Sequence, residues 1–140
     1  MKFVLLVSIA LAAAPSAPAG FAAIDISTLP GDGKAALANA DKVCPPGSDP
    51  KTLSQKGELG ESAELQLFNP AIAAATDPKA KAAIQCQKAR NKVLKNECLL
   101  NEAKITGDQA KLAIHTKQVT KNIATVTTAC ANVDSALFIQ

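Results

Sequence analysis

Four cysteines, Cys44, Cys86, Cys98 and Cys130, are the residues of this 140-residue chain whose chemistry is clearest. Zinc sites usually take ligands in close pairs such as C-x2–4-C or H-x3–5-H, whereas 41, 11 and 31 residues separate these cysteines. We therefore expect no metal centre and no cofactor, and we interpret the cysteines as two disulfide bonds. Disulfides form in oxidising compartments, so the pattern also indicates a protein that leaves the cytosol.

The first 19 residues have the organisation of a secretion signal peptide. Met1 and Lys2 supply a positive start, residues 3–14 are apolar, and Ala17-Pro18-Ala19 fits an A-x-A cleavage site. The apolar run of about 12 residues is shorter than the roughly 20 that a transmembrane helix needs. We expect cleavage to leave residues 20–140 as a single helical domain that is secreted to the outside of the cell, with no transmembrane segment.

The single histidine, His115, and the glutamates Glu58, Glu61 and Glu64 are the other candidates for catalysis. No motif brings a Ser or Cys nucleophile to His115, and the three-residue spacing of the glutamates is typical of one solvated helix face. The chain also lacks G-x-S-x-G, H-E-x-x-H and a glycine-rich phosphate loop. The sequence therefore predicts no catalytic residue and a protein that is not an enzyme.

A row of lysines, Lys81, Lys88, Lys92 and Lys95, falls within about 60° on one predicted helix. Such a row is usually just a solvated face, and alternatively it meets an anionic surface or an acidic partner. Charge is uneven in the rest of the chain as well. Residues 20–78 hold four Lys against eight Asp and Glu, and residues 79–121 hold nine Lys and one Arg against three acidic residues. The two halves can pack against each other, or the basic half can face an anionic partner.

Composition limits the classes of ligand. The chain has no Trp and no Tyr, and single-stranded nucleic acids are held by stacking on aromatic side chains, so we expect no nucleic-acid partner. Small residues at or beside the helix-packing surface either bring helices close together or leave a cavity; they are Ala82, Ala83, Ala89 and Ala103. An apolar cavity would suit a small lipid or other apolar ligand, which makes an extracellular carrier the alternative function.

Two long segments without Gly or Pro predict a helical hairpin over about residues 78–106 and 108–137. Thr106-Gly107-Asp108 supplies the stop, the turn and the new cap, and so tight a turn requires antiparallel helices. Before the hairpin, Asp32 caps a predicted helix over about residues 34–43, after an extended entry segment over residues 20–33.

The segment between Cys44 and the hairpin is harder to assign. Asp49-Pro50 predicts a helical turn that Gly57 and Gly60 interrupt. A short helix follows, although the alternation in residues 64–68 alternatively indicates a strand. Asn69-Pro70 and Asp77-Pro78 each look like a helix start, with a capping residue followed by proline.

The hairpin restricts the disulfide pairing. Cys86 and Cys98 lie about 18 Å apart on one helix, beyond the roughly 7 Å between Cα atoms that a disulfide spans. Around the turn Cys86 faces Cys130, whereas Cys98 lies about six levels away from it and on a second apolar stripe. We therefore predict Cys86–Cys130 and Cys44–Cys98, in an all-α, disulfide-stapled bundle whose short N-terminal helices cover the hairpin.

With a signal peptide, four cysteines and a helical core in a mature chain of about 120 residues, the protein resembles the small secreted proteins of filamentous fungi. The resemblance is architectural and covers the whole chain, with Cys44, Cys86, Cys98 and Cys130 as its distinctive residues. It implies a candidate effector that acts outside the cell. We accordingly expect a non-enzymatic binding protein whose partner is an extracellular protein or an anionic surface.

Overall fold

Aspartate side chains cap the N-terminal ends of most of the helices. The computed structural model describes residues 19–24 and 32–140, and in this part of the chain five aspartates accept a hydrogen bond from a backbone N–H in the first helical turn. They are Asp32, Asp49, Asp77, Asp108 and Asp134. The four caps that the sequence predicts at Asp32, Asp49, Asp77 and Asp108 are confirmed, since each carboxylate satisfies an N–H that the helix itself leaves unpaired.

The helices follow one another with short connections. A 3-10 helix at Ala19–Ile24 precedes α1 (Gly33–Val43) and α2 (Pro50–Ala63), which continues through a π-helical turn (Glu64–Phe68) into α3 (Asn69–Ala74). The two long helices are α4 (Pro78–Thr106) and α5 (Gln109–Ala129), and a second 3-10 helix lies at Ser135–Leu137. No strand occurs in residues 19–24 and 32–140, so the all-α prediction is confirmed.

The long helix α4 is the centre of the bundle. It forms an antiparallel hairpin with α5 around Gly107, and α1 and α2 also pack along it, with α1 reaching α5 as well. More than half of the residues of α4 are buried, as expected for a helix with two apolar stripes. The core that forms around it includes Leu53, Phe68, Leu94 and Val126.

Both disulfides pair as the hairpin geometry predicts. Cys44 at the end of α1 is linked to Cys98 of α4, with Cα atoms 5.1 Å apart, and Cys86 of α4 is linked to Cys130 at the end of α5, with Cα atoms 4.7 Å apart. The described residues contain no free cysteine. Because the links close loops of 54 and 44 residues, chain-entropy models assign each roughly 4 kcal/mol of stabilisation.

The prediction that Gly57 and Gly60 interrupt α2 is wrong. The helix runs through both glycines because they are where α2 lies closest to α4. A Cβ atom at Gly57 would lie 2.6 Å from Cδ2 of Leu99, and one at Gly60 would lie 2.9 Å from Cβ of Lys95. Each glycine destabilises the helix by about 1 kcal/mol relative to alanine. The lack of a side chain at these positions allows α2 and α4 to pack closely.

The strand alternative for residues 64–68 is wrong, and Asn69 does not cap a separate helix as predicted. The backbone stays helical from α2 to α3 through the π turn, in which the Asn69 N–H reaches back to the Glu64 carbonyl oxygen, and Asn69 itself is helical. Pro70 would clash with the carbonyl four residues before it in a regular α-helix. A widened turn immediately before the proline relieves that clash and lets the helix continue.

The two ends of the domain differ from the sequence prediction as well. Where an extended segment is expected over residues 20–33, the chain forms a 3-10 helix at Ala19–Ile24 whose Phe21 and Ile24 are buried, and residues 25–31 lie outside the described part. Helix α5 stops at Ala129, not near Leu137, because the chain turns through Asn132, whose φ is 59°. This turn allows the last residues to fold back onto α4.

Amide hydrogen bonds hold the C-terminal residues on α4. Gln87 Nε2 donates to the Ile139 carbonyl oxygen at 2.9 Å, and the Ile139 N–H donates to Gln87 Oε1 at 2.8 Å. Both residues are fully buried, and the Arg90 guanidinium lies 5.0 Å from the centre of the Phe138 ring. The two hydrogen bonds to Gln87 satisfy the buried N–H and carbonyl groups of Ile139, as a β-ladder would, so Ile139 can be buried in the core.

The close approach of α2 and α4 predicts different effects on stability when Gly57 and Gly60 are replaced by alanine. Gly60→Ala should lower the free energy of unfolding by about 1–3 kcal/mol, because the added methyl meets Cβ and Cα of Lys95, which cannot rotate away. Gly57→Ala should cost less, since the Leu99 side-chain end can move. Chemical denaturation with the disulfides intact compares the two variants, and stabilisation by Gly60→Ala would contradict the proposed close contact.

Candidate functional site

A cleft with a volume of about 510 Å³ lies on the surface between α2, α4 and α5. Helix α2 and the π turn contribute Glu58, Glu61 and Glu64, and α5 contributes His115 and Gln118. The floor comes from α4, which supplies Lys92, Lys95, Asn96 and Leu99. We refer to this feature as the α2–α4–α5 cleft.

Ion pairs across the cleft connect the acidic half of the chain with the basic half. Lys95 Nζ bonds a carboxylate oxygen of Glu61 and lies 3.5 Å from Oε1 of Glu64, while Lys92 Nζ lies 3.7 Å from Oε2 of Glu64. Side chains of Lys95 and Glu64 are only 15% and 13% exposed. Packing of the two halves against each other, one of the two alternatives, is what the structure shows here.

The cleft divides the lysine row of α4. Lys81 is exposed and Lys88 is half-buried, and neither forms an ion pair within the described residues. Lys92 and Lys95, in contrast, face glutamates, so the solvated face that the sequence predicts does not extend to Lys95. A role of the row in meeting an anionic partner stays a prediction, and Lys81 and Lys88 are the members that remain available for it.

The glutamates are likewise in different environments. Glu58 is exposed and Glu61 is half-exposed, as expected for a solvated helix face, but Glu64 points into the cleft. The π turn that begins at Glu64 changes the helical phase at this position. Because a π turn is not visible in hydrophobic periodicity, the sequence offers no clear signal for the ion pairs of Glu64.

His115 is held in a defined orientation by Asn96. Asn96 Nδ2 donates to the Lys92 carbonyl oxygen at 2.9 Å, which places its Oδ1 3.1 Å from His115 Nδ1. An amide oxygen can only accept, so Nδ1 carries the proton and Nε2 is left as an acceptor. Burial lowers the pKa of His115 below 6.5, and the positive charges of Lys111 and Lys95 lower it further, while Glu102 opposes them.

The arrangement presents fixed hydrogen-bonding and charged groups and does not assemble a nucleophile with a base. His115 contacts an amide oxygen, and its neighbours Lys95 and Lys111 disfavour its protonated form. In residues 19–24 and 32–140, no three His, Cys, Asp or Glu side chains are grouped so that they could hold a metal ion. The cleft therefore presents charged and hydrogen-bonding side chains at its surface.

Alanines that the sequence placed at the packing surface lie between the helices. Ala83, Ala89 and Ala103 are buried and Ala82 is half-buried. The cleft lies elsewhere on the surface, and these alanines do not line it. Among the side chains that line the cleft, Leu99 is the apolar one.

Comparison with known proteins gives a family but no activity. The model of a family described as "Domain of unknown function (DUF8454)" matches residues 16–136. The chain belongs to this family. The matched range includes all four cysteines and every residue of the cleft, and it ends before Phe138 and Ile139. No curated protein and no solved structure matches the chain.

The electrostatics of the cleft can be tested at His115. Lys111→Gln should raise the pKa of His115, because it removes a positive charge and also frees Glu102, whose oxygen lies 3.9 Å from Lys111 Nζ. Titration of the imidazole signals by NMR measures the shift. Lys117→Gln, at an exposed position of the same helix, is the control and should leave the pKa unchanged. An equal shift in both variants would show that net charge, and not the local contact, sets the pKa.

Proposed function

We propose that this protein is secreted and acts outside the cell by binding a partner, not by catalysing a reaction. The observation that carries the proposal is the α2–α4–α5 cleft, an open site on a disulfide-linked scaffold that is lined by charged and polar side chains. The role agrees with the architectural resemblance to small secreted fungal proteins of the candidate-effector type. Within that class, the cleft is the surface that we assign to partner recognition.

The scaffold supports binding because the walls of the cleft are held before a partner arrives. Helix α4, which forms the floor, carries one cysteine of each disulfide. The wall formed by α2 is held close to α4 at Gly57 and Gly60, and by the 2.8 Å hydrogen bond from Asn91 Nδ2 to the Gly60 carbonyl oxygen. A site that needs little ordering loses less free energy on binding.

Charge in the cleft favours a cationic group on the partner. Three carboxylates, those of Glu58, Glu61 and Glu64, face the two ammonium groups of Lys92 and Lys95. Because the lowered pKa keeps His115 neutral near pH 7, the cleft holds one excess negative charge. Glu58 forms no ion pair within the described residues, and it is exposed. A lysine or arginine side chain of an extracellular protein would match this arrangement.

An apolar ligand, the alternative proposed from the alanine-rich helices, fits this cleft less well. Leu99 offers little apolar contact beside the charged groups of Lys95, Glu61 and Glu64. Small-molecule sites of this volume are usually lined mostly by apolar and aromatic side chains. The described residues favour protein recognition over lipid carriage for this reason.

Burial near the N-terminus supports the proposed signal-peptide cleavage before Gly20. Phe21 is 6% exposed and Ile24 is fully buried, so both residues belong to the folded domain. Cleavage further along the chain would remove these side chains from the core, whereas cleavage after Ala19 retains them. Residues 1–18 lie outside the described part of the structure. Within residues 19–24 and 32–140, no helix is both long and apolar enough to cross a membrane.

Secretion can be tested by intact-mass analysis. The full-length gene expressed in a eukaryotic host should yield a protein in the medium that starts at Gly20. Its non-reduced mass should be four hydrogens below that of the reduced chain, because each of the two disulfides removes two. Retention in the cell, or free thiols in the secreted protein, would contradict the proposal. Extra mass that appears only under native conditions would instead favour the carrier function.

Recognition of a cation can be tested before any natural partner is known. NMR titration of the labelled domain with N-acetyl-arginine amide should shift the amide signals of Gly57, Glu58 and Gln118, with a Kd on the order of 100 mM. An exposed ion pair contributes up to about 1 kcal/mol, whereas a Kd of 1 mM corresponds to about 4 kcal/mol, so tighter binding by this small probe is not expected. The same titration with N-acetyl-glutamine amide should leave these signals in place.

Variants separate the cleft from a general effect of net charge. Glu58→Gln combined with Glu61→Gln should abolish the shifts, whereas Gln85→Lys, which makes the protein more positive at an exposed position of α4, should preserve them. A response to N-acetyl-glutamate amide near Lys81 and Lys88, without a response to arginine in the cleft, would reject the cationic partner. It would favour the anionic partner that the lysine row suggests.

A further inference from the structure

The edge of α5 that borders the cleft is basic. Helix α5 contains no acidic residue, and its Lys117 and Lys121 are exposed and form no ion pair within the described residues. Both lysines and Ile114 lie on the same side of Gln118, within about 100° of it around the helix. Because Gln118 lines the cleft, these three residues follow its outer edge, and we refer to them as the α5 rim.

The opposite edge of the cleft is acidic. Glu58 is exposed and forms no ion pair within the described residues, and the Glu61 side chain is 50% exposed although it bonds Lys95. Leu65 follows about one turn later and is 57% exposed, as Ile114 is 56% exposed on α5. Single exposed apolar side chains are common on protein surfaces, so the charges beside them must identify what this surface binds. We refer to Glu58, Glu61 and Leu65 as the α2 rim.

The position of the α2 rim along the bundle follows from the two glycines of α2. Gly57 packs against Leu99 of α4 and Gly60 packs against Lys95, so α2 runs antiparallel to α4. The two glutamates of the α2 rim directly follow these glycines in the sequence. They therefore lie at the heights of Leu99 and Lys95, to within about one residue, or 1.5 Å.

The lysines of the α5 rim lie at the same two heights. A disulfide joins α4 to α5, and residues equally far from it along two antiparallel helices lie level with each other. Lys117 and Leu99 are each 13 residues from this disulfide, and Lys121 and Lys95 are each nine residues from it. Each glutamate of the α2 rim thus has a lysine of the α5 rim at its own height.

The helix directions allow two copies of the chain to join the rims. Helices α2 and α5 run in the same direction, since each is antiparallel to α4. A two-fold axis parallel to these helices, in front of the cleft, keeps every residue at its height and exchanges the two sides. It places the α2 rim of each copy opposite the α5 rim of the other, with Glu58 facing Lys117 and Glu61 facing Lys121.

We propose that the partner of the α2–α4–α5 cleft is a second copy of this chain, bound in a symmetric dimer through the α2 and α5 rims. The proposal rests on the proposed function, in which the cleft binds a cationic group of an extracellular partner. Lys117 and Lys121 of the second copy supply that group. Leu65 and Ile114 lie about one turn beyond the charged pairs, at the two ends of the contact, where the other copy covers them.

Sedimentation equilibrium of the secreted, disulfide-bonded protein tests the dimer. Small polar interfaces are weak, so the protein should be mostly monomeric at about 50 µM and should associate with a Kd on the order of 1 mM. Association should weaken in about 1 M NaCl, where the Debye length falls to about 3 Å. A protein that stays monomeric at about 2 mM would overturn the dimer.

A charge swap identifies the contact. Glu58→Lys and Lys117→Glu should each raise the Kd about 10-fold or more, because each places like charges opposite each other twice in the dimer. An equimolar mixture of the two variants should associate as the unsubstituted protein does, since every pair in the mixed dimer again has opposite charges. Both positions are exposed, so each variant should fold.

An apolar pair of variants provides the matched control. Ile114→Ser should weaken the dimer, whereas Ile105→Ser, at a 42% exposed position beside the hairpin turn, should not. Association that Glu58→Lys and Lys117→Glu leave unchanged would reject the rims as the contact, and assembly beyond a dimer would reject the two-fold arrangement. In a protein that stays monomeric, cleft signals that shift with N-acetyl-arginine amide would leave the proposed function standing without the second copy as partner.

Discussion

Burial of α4 on several sides is the constraint on which the rest of the structure depends. A helix that is covered by α5 along one side and by α1 and α2 elsewhere buries polar side chains together with apolar ones. Each covering element must therefore satisfy the polar groups of α4 that it buries. The two disulfides act on the same helix, since Cys86 ties it to α5 and Cys98 ties it to α1.

Three amide side chains of α4 donate hydrogen bonds to the covering segments, although Oδ1 of Asn91 and Oδ1 of Asn101 are buried without a partner among the described residues. Asn91 donates to the Gly60 carbonyl oxygen of α2, and Asn101 donates to the Cys44 carbonyl oxygen at the end of α1. Gln87 exchanges two hydrogen bonds with Ile139 of the C-terminal segment. Each amide thus binds the backbone of a different covering segment. A buried amide bonded to a carbonyl fixes position along the helix axis, which apolar contacts alone define poorly.

Sequence reasoning was most successful where local chemistry decides the structure. Asp77-Pro78 and Gly107-Asp108 predict the start of the hairpin and its turn from capping alone, and helix geometry then leaves one arrangement of the disulfides. It failed where a contact distant in sequence overrides local propensity. Gly60 lies inside a helix because Lys95 packs against it, and α5 ends early because Ile139 belongs to the core.

The candidate site was only partly predictable for the same reason. Lys92 and Lys95 stand out in the sequence, but their glutamate partners come from a segment whose helical phase a π turn changes. The sequence does contain one further signal. Asparagine is a poor helix former, and α4 contains three asparagines at Asn91, Asn96 and Asn101, each with a hydrogen-bonding role. Unfavourable polar residues inside a long helix indicate contacts with other elements.

The contacts that α4 makes with α1 and with α2 differ in the charges that they bring together. Carboxylates of α2 meet Lys92 and Lys95, and these pairs keep opposite charges together at the edge of the cleft. At the contact with α1, the acid Glu97 is instead buried beside Asp41, and burial together with the hydrogen bond and negative charge of Asp41 raises the pKa of Glu97 to about 7. Charge at the α2 contact is therefore compensated by ion pairing, whereas at the α1 contact burial favours the neutral form of Glu97.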